Sequence, residues 1–438
     1  MVSERKPRLS PAQFLLVLIA LLYPVNYSLA LKLRIADILI LILVFASLPY
    51  LRVRDLDVFV LIIAFFAFYT ASTLYGILAF GVVTPTNFLF VYKYIIAFVL
   101  IWVISSIPLE PQRLQSLQKV SFLVFYLLVA WVFVYVLLRA RGVLRGSFRV
   151  SFPFSNALDP GLSDAPLYSV VLSTCLIAYL FTPRGESAGT IIKAFIVAGV
   201  TGLAIMLSGS RTGLVSVSLT FFIWCLRWVY RAAHSGRIRF KGYALWIALL
   251  MIVAVAVIGA RVSGISNTDV LWLFSRAVSF GGDESVDSRL GKALYAIQVV
   301  FGGPVLLGIG SQSTFHTWFD GTWPNVLVNA GAAGVALFLL VLYFFLRHAR
   351  ARARLQGTMG SYNALEYLFI NYLICSISTE SFLVTRGLVP FAVFAAIFLR
   401  RIYLGAEAAT AQGAAEMTGG FSLTYNTGLG VSGRRGRC

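Results

Sequence analysis

Long apolar runs recur along the whole chain, separated by short polar breaks. Phe14 to Leu22, Phe59 to Tyr69, Phe122 to Leu138 and Leu245 to Ile258 contain no charged residue. They reach or approach the roughly 20 residues that a helix needs to cross a bilayer. Of the 438 residues, 59% are hydrophobic and only 12% charged, with a mean hydropathy of +0.86. Soluble domains carry about 25% charged residues, and a water-soluble core could not hide this much apolar surface. The expected fold is therefore an all-α integral membrane protein of about twelve transmembrane helices.

Counting runs between polar breaks places those helices near 12–30, 35–50, 57–80, 88–107, 119–138, 166–182, 191–208, 212–230, 243–260, 324–346, 363–379 and 388–404. The Met1 end has a short basic segment followed by an apolar stretch with no small-residue cleavage site, so it reads as a first membrane helix and not a removed signal. Residues 1–404 form one polytopic domain. Residues 405–438, rich in Gly, Ala, Ser and Thr, read as a disordered cytoplasmic tail.

Lys and Arg decide the orientation. With both termini in the cytoplasm, 23 of the 36 Lys and Arg fall in cytoplasmic segments, including Arg227 to Lys241, Arg347 to Arg354 and Arg434 to Arg437. The positive-inside rule favours that arrangement. It also accounts for the net charge of +19 without invoking nucleic acid as a partner. Cys175, Cys225 and Cys375 lie in apolar runs and Cys438 ends the chain, so free thiols are expected and no disulfide framework.

The basic residues that break the rule are the informative ones. Two extracytoplasmic loops are long, about 139–165 and about 261–323, the latter between the ninth and tenth helices. The first holds Arg139, Arg141, Arg145 and Arg149, and the second Arg261, Arg276, Arg289 and Lys292. Arg211 sits in a tight loop on the same side. An anionic ligand would explain their retention. The alternative is that long loops translocate whatever their charge.

Two constellations stand out in these loops. Ser208-Gly209-Ser210-Arg211-Thr212-Gly213 joins the seventh and eighth helices. Ser210 suits an N-cap, and the free N–H groups behind it would lie beside the Arg211 guanidinium. Helix N-termini bind phosphate for this reason, and arginine adds a fork matched to phosphate oxygens. A plain helical-hairpin turn with a snorkelling arginine fits the spacing equally well. The second constellation runs from Asp287-Ser288-Arg289 through Gly308-Ile309-Gly310 to His316, Trp318, Phe319, Asp320, Trp323, Pro324 and Asn325, with Gly331 and Gly334 beyond. His316 or Asp320 could act as general base for a sugar hydroxyl. Trp318 and Trp323 offer faces for sugar stacking, or belong to the aromatic belt at the membrane interface. Gly331 and Gly334 read as a site of close helix packing.

Among acidic residues, Asp37 and Glu366 read as structural, and Glu380 could join Arg386 near the site. There is no phosphate loop and no H-E-x-x-H zinc motif, and the scattered extracytoplasmic acids include no D-x-D pair. No metal and no cofactor is therefore expected. Nor is there an internal repeat of the kind that marks many secondary transporters.

In their order and shared side, Ser208 to Gly213, Ser288-Arg289, Gly308 to Gly310, and Asp320 to Asn325 with Gly331 and Gly334 resemble the O-antigen ligase and polymerase superfamily of bacterial envelope proteins. The Ile35-Ala36-Asp37-Ile38-Leu39 segment is also similar. The resemblance implies a GT-C-like helical glycosyltransferase in the bacterial inner membrane, acting on its extracytoplasmic face on undecaprenyl-diphosphate-linked glycans. It further implies that Arg211 and Arg289 hold the diphosphate, with Arg145, Arg149 and Ser210 nearby. The ligase branch has a histidine eleven positions before the first glycine of the tenth helix. Here that position is Asp320, with His316 four residues upstream, which favours a polymerase of O-antigen, capsular or exopolysaccharide repeat units. The alternatives are an O-antigen ligase transferring polymer to lipid A-core and a flippase or exporter of lipid-linked glycans. The expected partners are the lipid-linked glycan, the bilayer and a chain-length-regulating co-polymerase.

Overall fold

A computed structural model describes residues 10–25, 35–51, 55–80, 96, 98–144, 150, 152–153, 164–183, 187–235, 284–310, 321–379, 382 and 385–419. In chain order the helices are α1 (Pro11–Leu22), α2 (Ile35–Ser47), α3 (Leu56–Phe80), α4 (98–106), α5 (Pro111–Ala140) and α6 (Asp164–Phe181). They continue with α7 (Ala188–Leu207), α8 (Arg211–Ser235), α9 (Glu284–Phe301), α10 (Thr322–Leu355), α11 (Met359–Ser378) and α12 (Thr385–Gly419). No strand occurs among the described residues. The protein is an all-helical membrane protein. Five helical stretches, Leu56–Ala79, Pro111–Ala140, Gly189–Leu207, Thr322–Leu355 and Arg386–Gly405, are long and apolar enough to cross a membrane.

Local sequence explains where these helices begin. Ser10 caps α1 with a reciprocal pair: its hydroxyl accepts from the Gln13 N–H while the Gln13 side chain accepts from the Ser10 N–H, and Pro11 sits where no N–H is needed. Ser187 caps α7 in the same sense, and Pro111 opens α5.

The spanning helices differ in what surrounds them. Within α12, 89% of the apolar window is buried, and Leu388, Val389 and Phe391 to Leu399 are 2% exposed or less. In α3 the corresponding share is 28%, with Leu56, Val60, Ile63 and Phe66 turned outward. A helix apolar all round is a buried one, and α12 is the post around which α6 and α11 pack. On α6, Val170 to Leu172 and Cys175 to Ala178 are fully buried.

Several elements extend beyond their expected bounds. Part of the stretch expected as a loop at 261–323 forms α9, an amphipathic helix whose polar positions mask its periodicity from a hydropathy count. Helix α10 carries Arg347, Arg350, Arg352 and Arg354 on helical backbone up to Leu355. Helix α12 continues to Gly419, past the boundary at 404, through an alanine-rich segment of high helix propensity. The expected helix at 243–260 lies outside the described residues.

Gly331 packs closely, but against the turn after α9 and not a helix face, with no room for a Cβ beside the Leu306 carbonyl oxygen. It lies at φ 64° and ψ −168° and breaks α10 into two pieces. The turn after α9 fills that break. Ile309 N–H donates to the Val328 carbonyl at 2.8 Å and Gly310 N–H to that of Asn329 at 3.1 Å. In return Ala332 N–H donates to the Val305 carbonyl at 2.9 Å and Ala333 N–H to that of Leu306 at 3.3 Å. The fully buried Ser72 hydroxyl of α3 sits between the Leu307 and Asn329 carbonyls. Irregular backbone at membrane depth persists only where protein satisfies its polar groups, and here the Gly308-Ile309-Gly310 turn does so.

Candidate functional site

The helix pairings bring one set of helix ends together: the C-terminal ends of α5, α7 and α11 and the N-terminal ends of α6, α8, α10 and α12. The α7–α8 hairpin packs there against α6 and α11. Ser208 ends α7, its N–H donating to the Ala204 carbonyl at 2.9 Å, and Gly209 turns the chain at φ 72°. This is the left-handed C′ position that glycine fills at low cost. Ser210 follows at the N-cap position, buried, and Arg211 opens α8, half-buried.

Two neighbouring helices hold the hairpin through hydroxyls. Ser169 of α6 places its Oγ 3.0 Å from that of Ser210 and accepts the Gly213 N–H at 3.2 Å. The Thr212 Oγ1 lies 2.9 Å from the Ser378 Oγ at the end of α11. Gly213 is required for this approach, because a Cβ there would sit 2.6 Å from the Ser169 carbonyl oxygen. The motif therefore spends its small and hydroxylated residues on fixing the turn, which leaves the first α8 residue, Arg211, at a set position.

Two more arginines belong to this end. Arg386, in the first turn of α12, is 2% exposed and lies with its guanidinium 4.9 Å from the centre of the Phe152 ring. Phe152 packs on Tyr168 at 4.8 Å, and Tyr168 precedes Ser169 on the helix that holds the hairpin. Arg139, in the last turn of α5, is buried and donates to the Leu144 carbonyl. The start of α10 closes the same end: the Thr322 hydroxyl donates to the Thr379 carbonyl at 3.3 Å, and the Asn325 amide to the Gly321 carbonyl at 2.8 Å.

Of the residues singled out in the sequence, Ser210 and Arg211 share this hairpin. Trp323 is half-buried, its ring edge-to-face with Phe338 at 5.5 Å and its indole N–H directed at the Leu373 carbonyl at 3.5 Å. Those contacts tie it to the bundle. Arg289 lies on α9, one turn past its start. Arg145, Arg149, His316, Trp318, Asp320 and Glu380 lie outside the described residues.

Ser169, Ser378 and Phe152 were not visible as site residues from the sequence. Each acts through a partner more than forty positions away, and a single Ser in an apolar run or a single Phe in a long loop carries no local signal. No group of three or more His, Cys, Asp or Glu that could hold a metal occurs among the described residues. The chain matches no protein-family model and no curated protein sequence.

What this end can do chemically follows from its charge. Fixed guanidiniums beside a helix N-terminus stabilise anionic oxygens with little reorganisation, and arginine binds phosphate through a planar fork.

Proposed function

We propose that the protein is a metal-independent glycosyltransferase that polymerises undecaprenyl-diphosphate-linked repeat units into O-antigen, capsular or exopolysaccharide. In this reading the Arg211 end faces the extracytoplasmic side of the bacterial inner membrane and both termini lie in the cytoplasm. The helices belong to a GT-C-like bundle of about twelve spans. The observation that carries the reading is the clamped hairpin, in which hydroxyls from α6 and α11 fix the turn and present Arg211 on the first turn of α8.

In the reaction, a hydroxyl of one lipid-linked unit attacks the anomeric carbon of a lipid-linked chain. The bond from that carbon to the diphosphate oxygen breaks, and the carrier diphosphate leaves with the bonding pair. Arg211, Ser210 and Arg289, with Arg145 and Arg149, stabilise that charge. Asp320 or His316 takes the hydroxyl proton, and Trp318 and Trp323 line the sugar path. Nucleotide sugars are cytoplasmic, so a transferase on the outer face needs a lipid-carried donor.

Purified protein incubated with defined lipid-linked oligosaccharides, with products separated by length, tests the proposal. Longer glycans still attached to the carrier support polymerisation. Transfer to a lipid A-core acceptor without lengthening would make the protein a ligase. Unchanged glycans that merely cross the bilayer would make it a flippase.

A further inference from the structure

A second feature lies towards the opposite end of the bundle, away from Arg211. A partly open cleft runs between α3, α4, α10, α11 and α12. Its walls are aromatic and aliphatic, with Phe59, Trp102, Val341, Phe345 and Phe391 among them. Phe59 and Trp102 pack with tilted rings 5.3 Å apart and are both half-buried, so the cleft is not sealed from its surroundings. Its polar residues are Asp55, Ser105, Ser106 and Tyr403.

The depth of the cleft matches one leaflet. Phe391 and Tyr403 both line it and are twelve residues apart on α12, or about 18 Å at 1.5 Å per residue. Half of a hydrocarbon core about 30 Å thick is about 15 Å. A single hydrocarbon chain entering at Tyr403 would therefore end near the bilayer midplane, against Phe391.

The mouth carries both signs of charge in a fixed order. On α10, Val341, Phe345, His348 and Arg352 fall at i, i+4, i+7 and i+11, one helical face, so the cleft wall leads directly to an imidazole and a guanidinium. Arg352 is paired with Asp55 and lies 5.0 Å from the Tyr403 ring centre. Tyr403 OH donates to Asp55 at 3.5 Å. Further out, the Asp57 carboxylate, 64% exposed, lies 3.4 Å from the His348 Nε2.

We infer that this cleft binds one acyl chain of an ethanolamine phospholipid. Its phosphate would sit at Arg352 and Tyr403, and its primary ammonium would sit further out, at Asp57. Arg352 has five N–H donors and can serve a phosphate while keeping Asp55. An ammonium donates hydrogen bonds to a carboxylate, whereas a choline headgroup has no N–H to donate, so the site discriminates between the two. The proposal depends only on membrane embedding, and its test does not read chain extension.

Trp102 supplies the reporter, because bromine atoms on an acyl chain quench indole fluorescence on contact. The full-length protein in detergent micelles is titrated with phospholipids whose acyl chains are dibrominated, and the Trp102 signal is taken as wild type minus Trp102→Phe. The expected result is saturable quenching of that signal, with the ethanolamine lipid effective at a mole fraction about tenfold below that of the choline lipid. Asp57→Asn, at an exposed side chain, should bring the two curves together while the protein still unfolds cooperatively. No quenching of Trp102 by any brominated phospholipid would overturn the site. Equal potency of the choline or glycerol headgroup would overturn the headgroup assignment. Quenching by a brominated polyprenyl phosphate alone would assign the cleft to the carrier and overturn the proposal.

Discussion

At the Asp55 end, Arg352 meets Asp55, His348 approaches Asp57 at 3.4 Å, and the Arg227 guanidinium lies 3.0 Å from Glu366. At the Arg211 end, the contacts include hydroxyl to hydroxyl at Ser169 and Ser210, guanidinium to ring face at Arg386 and Phe152, and guanidinium to carbonyl at Arg139. A carboxylate meets an arginine with a formal charge of its own. A ring face or a carbonyl brings only partial charge to a guanidinium. The first end is thus latched between helices by ion pairs, while at the second, hydroxyls fix the α7–α8 turn and set Arg211 at the start of α8.

The largest effect expected from this contrast is on activity. Arg211→Ala should lower chain extension by more than about 100-fold, the scale of losing one preorganised charge-stabilising donor, while abundance and membrane insertion stay unchanged. Product analysis by length alongside immunoblotting of membranes checks both. Equal polymer from the variant would leave the two ends without functional distinction.

Stability changes should follow the same division. Gly213→Val puts a side chain against the Ser169 carbonyl, where a Cβ would lie at 2.6 Å. About 2 kcal/mol of destabilisation is expected from forcing α6 and α8 apart, visible as a lower thermal unfolding midpoint in detergent. Asp55→Asn weakens the latch between α3 and α10. Its pair is partly open to solvent, with side chains 16% and 27% exposed, so the loss should be about 1 kcal/mol after screening. Glu110→Gln removes an exposed partner 3.7 Å from Arg113, and the midpoint should move by less than about 0.5 kcal/mol equivalent.

The helical membrane class was legible because apolar length is a one-dimensional property. The windows around 57–80, 119–138, 191–208, 324–346 and 388–404 each contain or overlap a helix apolar enough to span. Less legible was anything set by contact across the sequence. Gly331 sits inside a continuous apolar pattern, and an isolated helical glycine costs only about 1 kcal/mol, so nothing nearby announces a break. The break is stable because Val305 to Gly310, more than twenty positions earlier, supply its missing hydrogen bonds. The same logic separates Arg211 from Ser169. The first is read from the compact Ser208 to Gly213 motif, whereas the second matters only because α6 brings its hydroxyl to Ser210. Helix α9 was missed because its polar positions hide it from a count of apolar runs.

The two ends should also differ in the compartment they face, and this tests the central claim most directly. With the four native cysteines replaced, Arg211→Cys and Arg354→Cys can each be treated in intact cells with a membrane-impermeant maleimide. The account predicts labelling at position 211 from outside, and labelling at 354 only after the membrane is permeabilised. Labelling of 354 from outside, with 211 protected until permeabilisation, would place the Arg211 end in the cytoplasm and contradict the account.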